Sequence, residues 1–368
     1  MIQVIRKTTH DKMFLISLGA ALVSMLFSRP QVGDIDWKTI FCLAALLALV
    51  QVYEYLEVLS FGAAWLVQKA HTQRFLVQVL ILIAFFASMF LTNDAAIIAI
   101  VPILVLIARK IDLQLIVPVV LVNVAANLGS MVTPFGNPQN LFILNHFNLS
   151  FLAFIRMAWP IALASLFLLW FFSRRIPNKG VSRIKLPKIK LRWGKLILSI
   201  VATVIILGGI FSVLPSYVML AAALIVIICV DPKIYQHIDY ALLLTFIMFF
   251  ITVGDIGRIP VVNEFMHTLG RGANGTYFSG ILSSQLISNV PAVILLAPYT
   301  KMIHALFLGV NIGGLGTLVA SLANLLAYKQ YYSLVEEPNN DYFKTFLWIN
   351  GTSLLILGLL GWLLVDYF

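Results

Sequence analysis

Four short polar interruptions in an otherwise apolar chain carry the residues able to do chemistry. Two are long matched stretches: Asn127 to Asn140, holding Gly129, Thr133, Pro134, Asn137, Pro138 and Gln139, and Asn311 to Asn324, holding Gly313, Gly316, Thr317 and Ser321. The other two are the triplets Thr92-Asn93-Asp94 and Ser288-Asn289-Val290, the second followed by Pro291. Proline removes a backbone donor and glycine relaxes the chain, so neither long stretch continues as one helix, and carbonyls and helix N-termini are freed at the breaks. Freed carbonyls suit a cation, helix N-termini suit an anion, and the amides of Asn and Gln bond either sign. A substrate and a coupling ion can therefore share this region. For a lone glycine the plainer reading is close helix packing. The asparagines differ, because Asn93, Asn127, Asn137, Asn140, Asn289, Asn311 and Asn324 are spread over all four breaks, and buried amides demand partners.

Asp94 is the one acid at these triplets, and its counterpart in the second triplet is Val290. A carboxylate at membrane depth serves a proton or a cation, although an Asp at a helix start also caps free N–H groups. Glu54 and Glu57, and likewise Asp255 and Arg258, are three apart near span ends, where pairing or snorkelling explains them. Cys42 and Cys229 lie in apolar runs and the histidines fall in or near loops, so neither type has metal-ligand spacing. Gly313-Gly314-Leu315-Gly316 follows no strand and no Walker lysine occurs, so nucleotide hydrolysis is excluded. With no nucleophile and base paired in the spans, catalytic residues and cofactors are not expected, and the protein is not read as an enzyme.

The elements that must position these groups follow from composition. The 368 residues are 61% hydrophobic and 11% charged, against roughly 25% charged in soluble domains. Stretches of the roughly 20 apolar residues needed for one crossing recur between short polar breaks. The first of them, after Lys12, precedes Ser28-Arg29-Pro30 rather than a small-residue cleavage site, and reads as a retained span. The net charge of +10 would suit nucleic acid in a soluble protein. Here Arg174, Arg175, Lys179, Arg183, Lys185, Lys188, Lys190, Arg192 and Lys195 form one acid-free linker, which the positive-inside rule places in the cytoplasm, beside anionic lipid.

From that anchor the expected fold is all-α and polytopic, with about nine crossings near 13–28, 36–56, 113–145, 151–172, 196–211, 216–230, 240–256, 304–332 and 345–366. The N-terminus is then cytoplasmic, the C-terminus outside, and only Arg29, Lys38, Arg156, Arg258, Arg271 and Lys301 among the basic residues fall outside, as expected in a prokaryotic inner membrane. Residues 75–108 and 276–300 are split at the triplets and read as re-entrant hairpins, because broken backbone at membrane depth is tolerated only beside protein or a watery cavity. The halves repeat: a shift of 184 pairs Asn127 with Asn311 and Asn140 with Asn324, 196 pairs Asn93 with Asn289, and 203 pairs Ile35-Asp36 with Ile238-Asp239. The chain divides into repeat 1 (1–172), the basic linker (173–195) and an inverted repeat 2 (196–368), an arrangement that points to a secondary transporter with a midplane site.

On these residues the chain resembles the ion transporter superfamily of arsenite permeases, silicon efflux carriers, NhaD-type antiporters, citrate carriers and divalent anion:sodium symporters. Thr92-Asn93-Asp94 and Gly136-Asn137-Pro138-Gln139-Asn140 are similar to the arsenite-permease branch. Ser288-Asn289-Val290 resembles the Ser-Asn-Thr tip of the dicarboxylate symporters, with Val290 in place of threonine. The resemblance implies a scaffold and a mobile transport unit, a homodimer, and alternating access driven by sodium or protons, with a sodium ion near Asn93, Asp94 and Asn137. No Lys or Arg lies near the four breaks, which favours a small, weakly charged anion held by amides, hydroxyls and helix ends. The alternatives are proton-coupled efflux of an arsenite- or silicate-like weak acid, sodium/proton antiport, or a channel.

Overall fold

The computed structural model describes residues 8–181 and 189–366; Arg6, Lys7, Arg183, Lys185 and Lys188 lie outside them. Among the described residues the chain is helical, with no strand and one isolated bridge between Thr72 and Gly180. The first repeat runs through α1 (Lys12–Ser24), α2 (Trp37–Tyr55), α3 (Val58–Val67), α4 (Gln73–Ser88), α5 (Asn93–Ile111), α6 (Ile116–Ser130), α7 (Pro138–His146) and α8 (Phe151–Ser173). The second repeat runs through α9 (Trp193–Ile210), α10 (Ser216–Val230), α11 (Tyr240–Gly257), α12 (Pro260–Leu269), α13 (Gly272–Ile287), α14 (Asn289–Leu296), α15 (Ile303–Ile312), α16 (Leu322–Leu334) and α17 (Asp341–Leu364).

Five helices, α2, α8, α9, α11 and α17, are long and apolar enough to cross a bilayer alone. Helix α6 has 15 residues and α7 nine, and at 1.5 Å per residue neither reaches across a hydrocarbon core of about 30 Å, although the two in series do. Large apolar side chains such as Leu26, Phe167, Val204, Leu224 and Leu355 stand exposed on the outer faces, which only lipid accommodates at this density. Two short helices, α3 and α12, occupy connections where the sequence shows no crossing. They are equivalent in order, each standing between a long helix, α2 or α11, and the hairpin that follows it.

The matched Ile-Asp pairs have a local cause. Asp36 and Asp239 are the N-caps of α2 and α11, accepting from Thr39 N and Leu242 N, each at 3.0 Å, so these two helices start in the same way. The packing is crosswise. Helix α1 packs on α11 and α10 packs on α2; the outgoing hairpin arm α5 packs on α16, and its counterpart α14 packs on α7. Each repeat thus completes the other.

Candidate functional site

The site grows from the two hairpin tips. Thr92 and Ser288 turn the chain with φ of 128° and 75°, values costly for residues with a Cβ, and such strain persists only where the surroundings fix it. The fixing contact is the same in both halves: Asn93 N donates to Gly136 O (3.3 Å) and Asn289 N to Ala320 O (3.0 Å). Each tip therefore docks on the broken helix of its own repeat, just before its second arm begins. Thr133 Oγ1 donates back to Met89 O, and Thr317 Oγ1 to Gln285 O at 3.3 Å.

The breaks are tied by the asparagines. Asn140 Nδ2 donates to Ser130 O and Thr133 O, both at 3.2 Å, and Asn324 Nδ2 donates to Gly314 O (3.0 Å) and Thr317 O (2.9 Å). These are the carbonyls that the ends of α6 and α15 leave without helical partners. The other end of each amide is taken by the opposite repeat: Asn311 Nδ2 donates to Asn140 Oδ1 at 2.8 Å, and Asn127 Nδ2 to Asn324 Oδ1 at 2.9 Å. A second crossed pair joins Ser321 Oγ to Asn127 Oδ1 (2.9 Å) and Asn137 Nδ2 to Asn311 Oδ1 (3.5 Å). Asn93 Nδ2 reaches Asn127 Oδ1 at 3.3 Å, which brings the first tip into the same cluster. Every one of these amides is buried.

Asn289 approaches from the second tip, its Nδ2 so close to Gly314 that a Cβ there would stand 2.9 Å away, and Ser288 Oγ bonds Asn289 Oδ1 at 3.4 Å. Gly129 and Gly313 serve the close approach of helices. A Cβ on Gly129 would lie 2.0 Å from Phe85 O and 2.5 Å from Ser88 Oγ; on Gly313 it would lie 2.9 Å from both Ile281 and Ser284 atoms, the same positions on the other hairpin. Gln139 is buried in the first turn of α7, and its amide makes no hydrogen bond among the described residues.

Two members of the cluster escaped the sequence reading. Asn123 Nδ2 donates to Asn324 Oδ1 at 2.9 Å; its position one turn before Asn127 on the same face of α6 was the available signal. Gln285 binds Gly313 O (2.6 Å), Leu315 O (2.9 Å) and Thr317 N (3.0 Å), and stands where the first hairpin has Met89. Nothing in its neighbours' types singles it out.

Asp94 is not the cap of α5. That role belongs to Thr92, whose hydroxyl accepts from Ala95 N at 3.3 Å. Asp94 Oδ1 is buried without a hydrogen-bond partner among the described residues, and the charged groups acting on it are the carboxylates of Asp239 and Glu54. No group of three His, Cys, Asp or Glu is close enough to hold a metal among the described residues. Asp255 and Arg258 are a structural pair, as their position at a span end suggests. Arg258 joins the buried Asp255 carboxylate to Asp34 (2.8 Å), Ser28 Oγ (2.7 Å) and Arg29 O (2.9 Å), stapling the end of α11 to the connection between α1 and α2.

A cleft of about 520 Å³ opens between that connection and α7, α12 and α14, lined by Asp34, Asp36, Asn145, His146, Asn263 and His267 among others. Its lining includes Phe142 of α7 against Phe250 of α11, ring centroids 5.6 Å apart, and Phe142 follows Asn140 by two residues. A much smaller cleft, about 50 Å³, meets the second tip at Ser288 and Val290 beside Asp11 and Asp239.

The same architecture occurs in known proteins. The fold is similar to that of the YdaH transporter of Alcanivorax borkumensis, with a TM-score of 0.57 at 15% identity over 96% of this chain and 97% of that one. In sequence the chain is 31% identical to an uncharacterized transporter of Methanocaldococcus jannaschii over 320 residues, 85% of this chain and 87% of the relative. It is also 31% identical to the inner membrane protein YbiR of Escherichia coli K12 over 347 residues, 88% and 89% of the two chains. Residues 4–305 match the citrate transporter family, CitMHS, and the chain is accordingly a multi-pass membrane transporter belonging to that family.

Proposed function

We propose that the chain is an ion-coupled secondary active transporter of a small anion, an inorganic oxyanion or organic carboxylate, working by alternating access. The observation that carries this reading is the crossed asparagine cluster, in which an amide of each repeat is bonded to the asparagine that closes the break of the other. An interface built twice from the same bonds can exist in two related arrangements, which is what alternate exposure of one site requires. The cleft of about 520 Å³ reaches Phe142, two residues after Asn140 on α7, and an access route in one of those arrangements would run past it to the cluster. Binding falls to the open amide of Gln139, the tips at Asn93 and Asn289, and the start of α7 at Asn137, where N–H groups and the helix dipole favour negative charge. The absence of Lys and Arg from the four breaks limits the guest to low charge, and the family's description as citrate transporters brings carboxylates within that class.

Asp94 supports a second reading, proton-coupled efflux of an arsenite- or silicate-like weak acid, or sodium/proton antiport, because it is the one carboxylate at a tip and its Oδ1 is unpartnered. Sodium, in the first reading, sits near Asn93, Asp94 and Asn137. Nine crossings with the N-terminus in the cytoplasm, two inverted repeats and a homodimer complete the proposal.

The test is uptake into proteoliposomes of labelled citrate, succinate, sulfate and arsenite under an imposed sodium or proton gradient. Accumulation of one anion above its gradient-free level, with trans-acceleration by the same anion, is expected. Sodium-driven dequenching of an internal pH dye with no solute accumulation would select the antiporter. Flux of any solute at channel rates without trans-acceleration would overturn alternating access.

A further inference from the structure

On the lipid-facing side of the hairpin arm α4 lies a groove of about 140 Å³, walled by Phe75, Gln78 and Leu82 of α4 and by Leu169 and Trp170 of α8. Its walls are mostly apolar, Phe75, Leu82 and Trp170 are exposed, and none of the cluster asparagines lines it. Its polar contacts are internal: Gln78 Nε2 donates to Ser173 Oγ at 2.8 Å, and Ser173 Oγ to Trp170 O at 2.6 Å. The end of the groove is basic. Arg174 stands over Trp170 with its guanidinium carbon 5.0 Å from the ring centroid. Arg74 next to Phe75 donates from Nε to Ile176 O at 2.9 Å, and its remaining guanidinium N–H groups have no partner among the described residues.

The basic end is held in place by backbone. Gln73 N donates to Lys179 O and Val181 N to His71 O, both at 2.9 Å, so the beginning of the basic linker is pinned to the start of α4. Neither Arg74, Arg174 nor Lys179 forms an ion pair among the described residues, and residues 173–195 contain no acid. Unpaired arginines ordinarily face water. Here they cap an apolar groove beside an exposed tryptophan, and tryptophan settles at the headgroup level of a bilayer.

We propose that this groove binds one anionic phospholipid, its phosphate on Arg74 and Arg174 and an acyl chain along Phe75, Leu82 and Trp170. Guanidinium groups match phosphate in shape as well as in charge, and they are less costly to desolvate than ammonium groups. A zwitterionic headgroup offers the same phosphate but adds a cation to an already basic site. Charge therefore selects the lipid while the groove holds the chain. The occupant touches α4, the incoming arm of the first hairpin, and not the solute site.

The test uses the full chain in nanodiscs of mixed phosphatidylglycerol and phosphatidylcholine, followed by native mass spectrometry. One phosphatidylglycerol is expected to stay bound, and its affinity to fall roughly thirtyfold in Arg74→Gln/Arg174→Gln, two arginines near a membrane surface being worth about that much. Arg271→Gln/Lys301→Gln, exposed basic residues of the second repeat, should leave it unchanged. Fluorescence gives a second readout without altering the arginines: brominated phosphatidylglycerol should quench the wild type more than it quenches Trp170→Phe, and brominated phosphatidylcholine should show no such difference. Equal retention of the two lipids, retention indifferent to the arginine variant, quenching indifferent to Trp170, or displacement of the lipid by inorganic phosphate alone would each overturn the assignment.

Discussion

At Asn140 and Asn324 one side chain does two things, closing a broken helix with its Nδ2 and accepting a bond from the other repeat with its Oδ1. Truncation to alanine takes the donor from two buried carbonyls at either position, and the acceptor from the amide of Asn311 at Asn140 or from those of Asn123 and Asn127 at Asn324, each loss costing about 1–3 kcal/mol. Asn140→Ala and Asn324→Ala should therefore lower the unfolding temperature of the purified protein by similar, large amounts, and a neutral result for either would show that its bonds are not needed. Asp94 is predicted to behave in the opposite way. With Thr92 already capping α5, Asp94→Asn should keep the fold and the elution volume while abolishing gradient-driven transport in proteoliposomes. Solute exchange should survive, because exchange need not return an empty, ion-free carrier. Coupled transport near the wild-type rate would remove Asp94 from the mechanism. The types of these residues were legible in the sequence, since an amide inside an apolar run is conspicuous. Their pairing was not: periodicity tells which face of a helix a residue is on, but not that Asn127 meets Asn324 rather than Asn140.

Among the elements, those the bilayer dictates were the legible ones. Residues 151–172 and 240–256 were expected as spans and form α8 and α11, because hydrocarbon thickness fixes helix length and composition together. Helices α3 and α12 were not expected, each being only ten residues long, too short for a crossing pattern and set in connections. The hairpins were read from their polar tips, but their tightness depends on contacts that sequence does not show. A methyl group on Gly129 would collide with the backbone of α4 at Phe85, which cannot move without shifting the arm. Gly129→Ala should cost about 1–3 kcal/mol or more by overpacking. Gly351 in α17 is the contrast, with nothing within 4 Å of an added Cβ. There Gly351→Ala should be neutral or stabilise by about 0.5–1 kcal/mol, since alanine loses less freedom in a helix. Thermal unfolding in detergent reads both, and a harmless Gly129→Ala would mean that the arm of the hairpin is not seated against α6 as described.

Over the whole molecule, two connections outside the spans report on the assembly. Burial raises the Asp34 carboxyl, but hydrogen bonds from Arg258 and from the Gln31 N–H, with the charge of Arg258, hold it below its ordinary value of 3.8. A carboxylate lowered on folding contributes stability that is present above the unfolded value and is lost as pH falls through the folded one. Acid unfolding below about pH 4 should therefore be steeper for the wild type than for Asp34→Asn, and identical curves would deny the staple any part in stability. The orientation of the molecule is tested at its two ends. If the basic linker is cytoplasmic, the large cleft with His267 on its rim opens outside, and Lys179 lies on the opposite side. In a background with Cys42 and Cys229 replaced by serine, a membrane-impermeant maleimide added to intact cells should label His267→Cys at once, and Lys179→Cys only after the membrane is opened. Both positions are exposed, so access is decided by the side of the membrane and not by burial. Labelling of Lys179→Cys from outside would invert the arrangement, turning the cleft towards the cytoplasm and making it an exit route for a solute taken up.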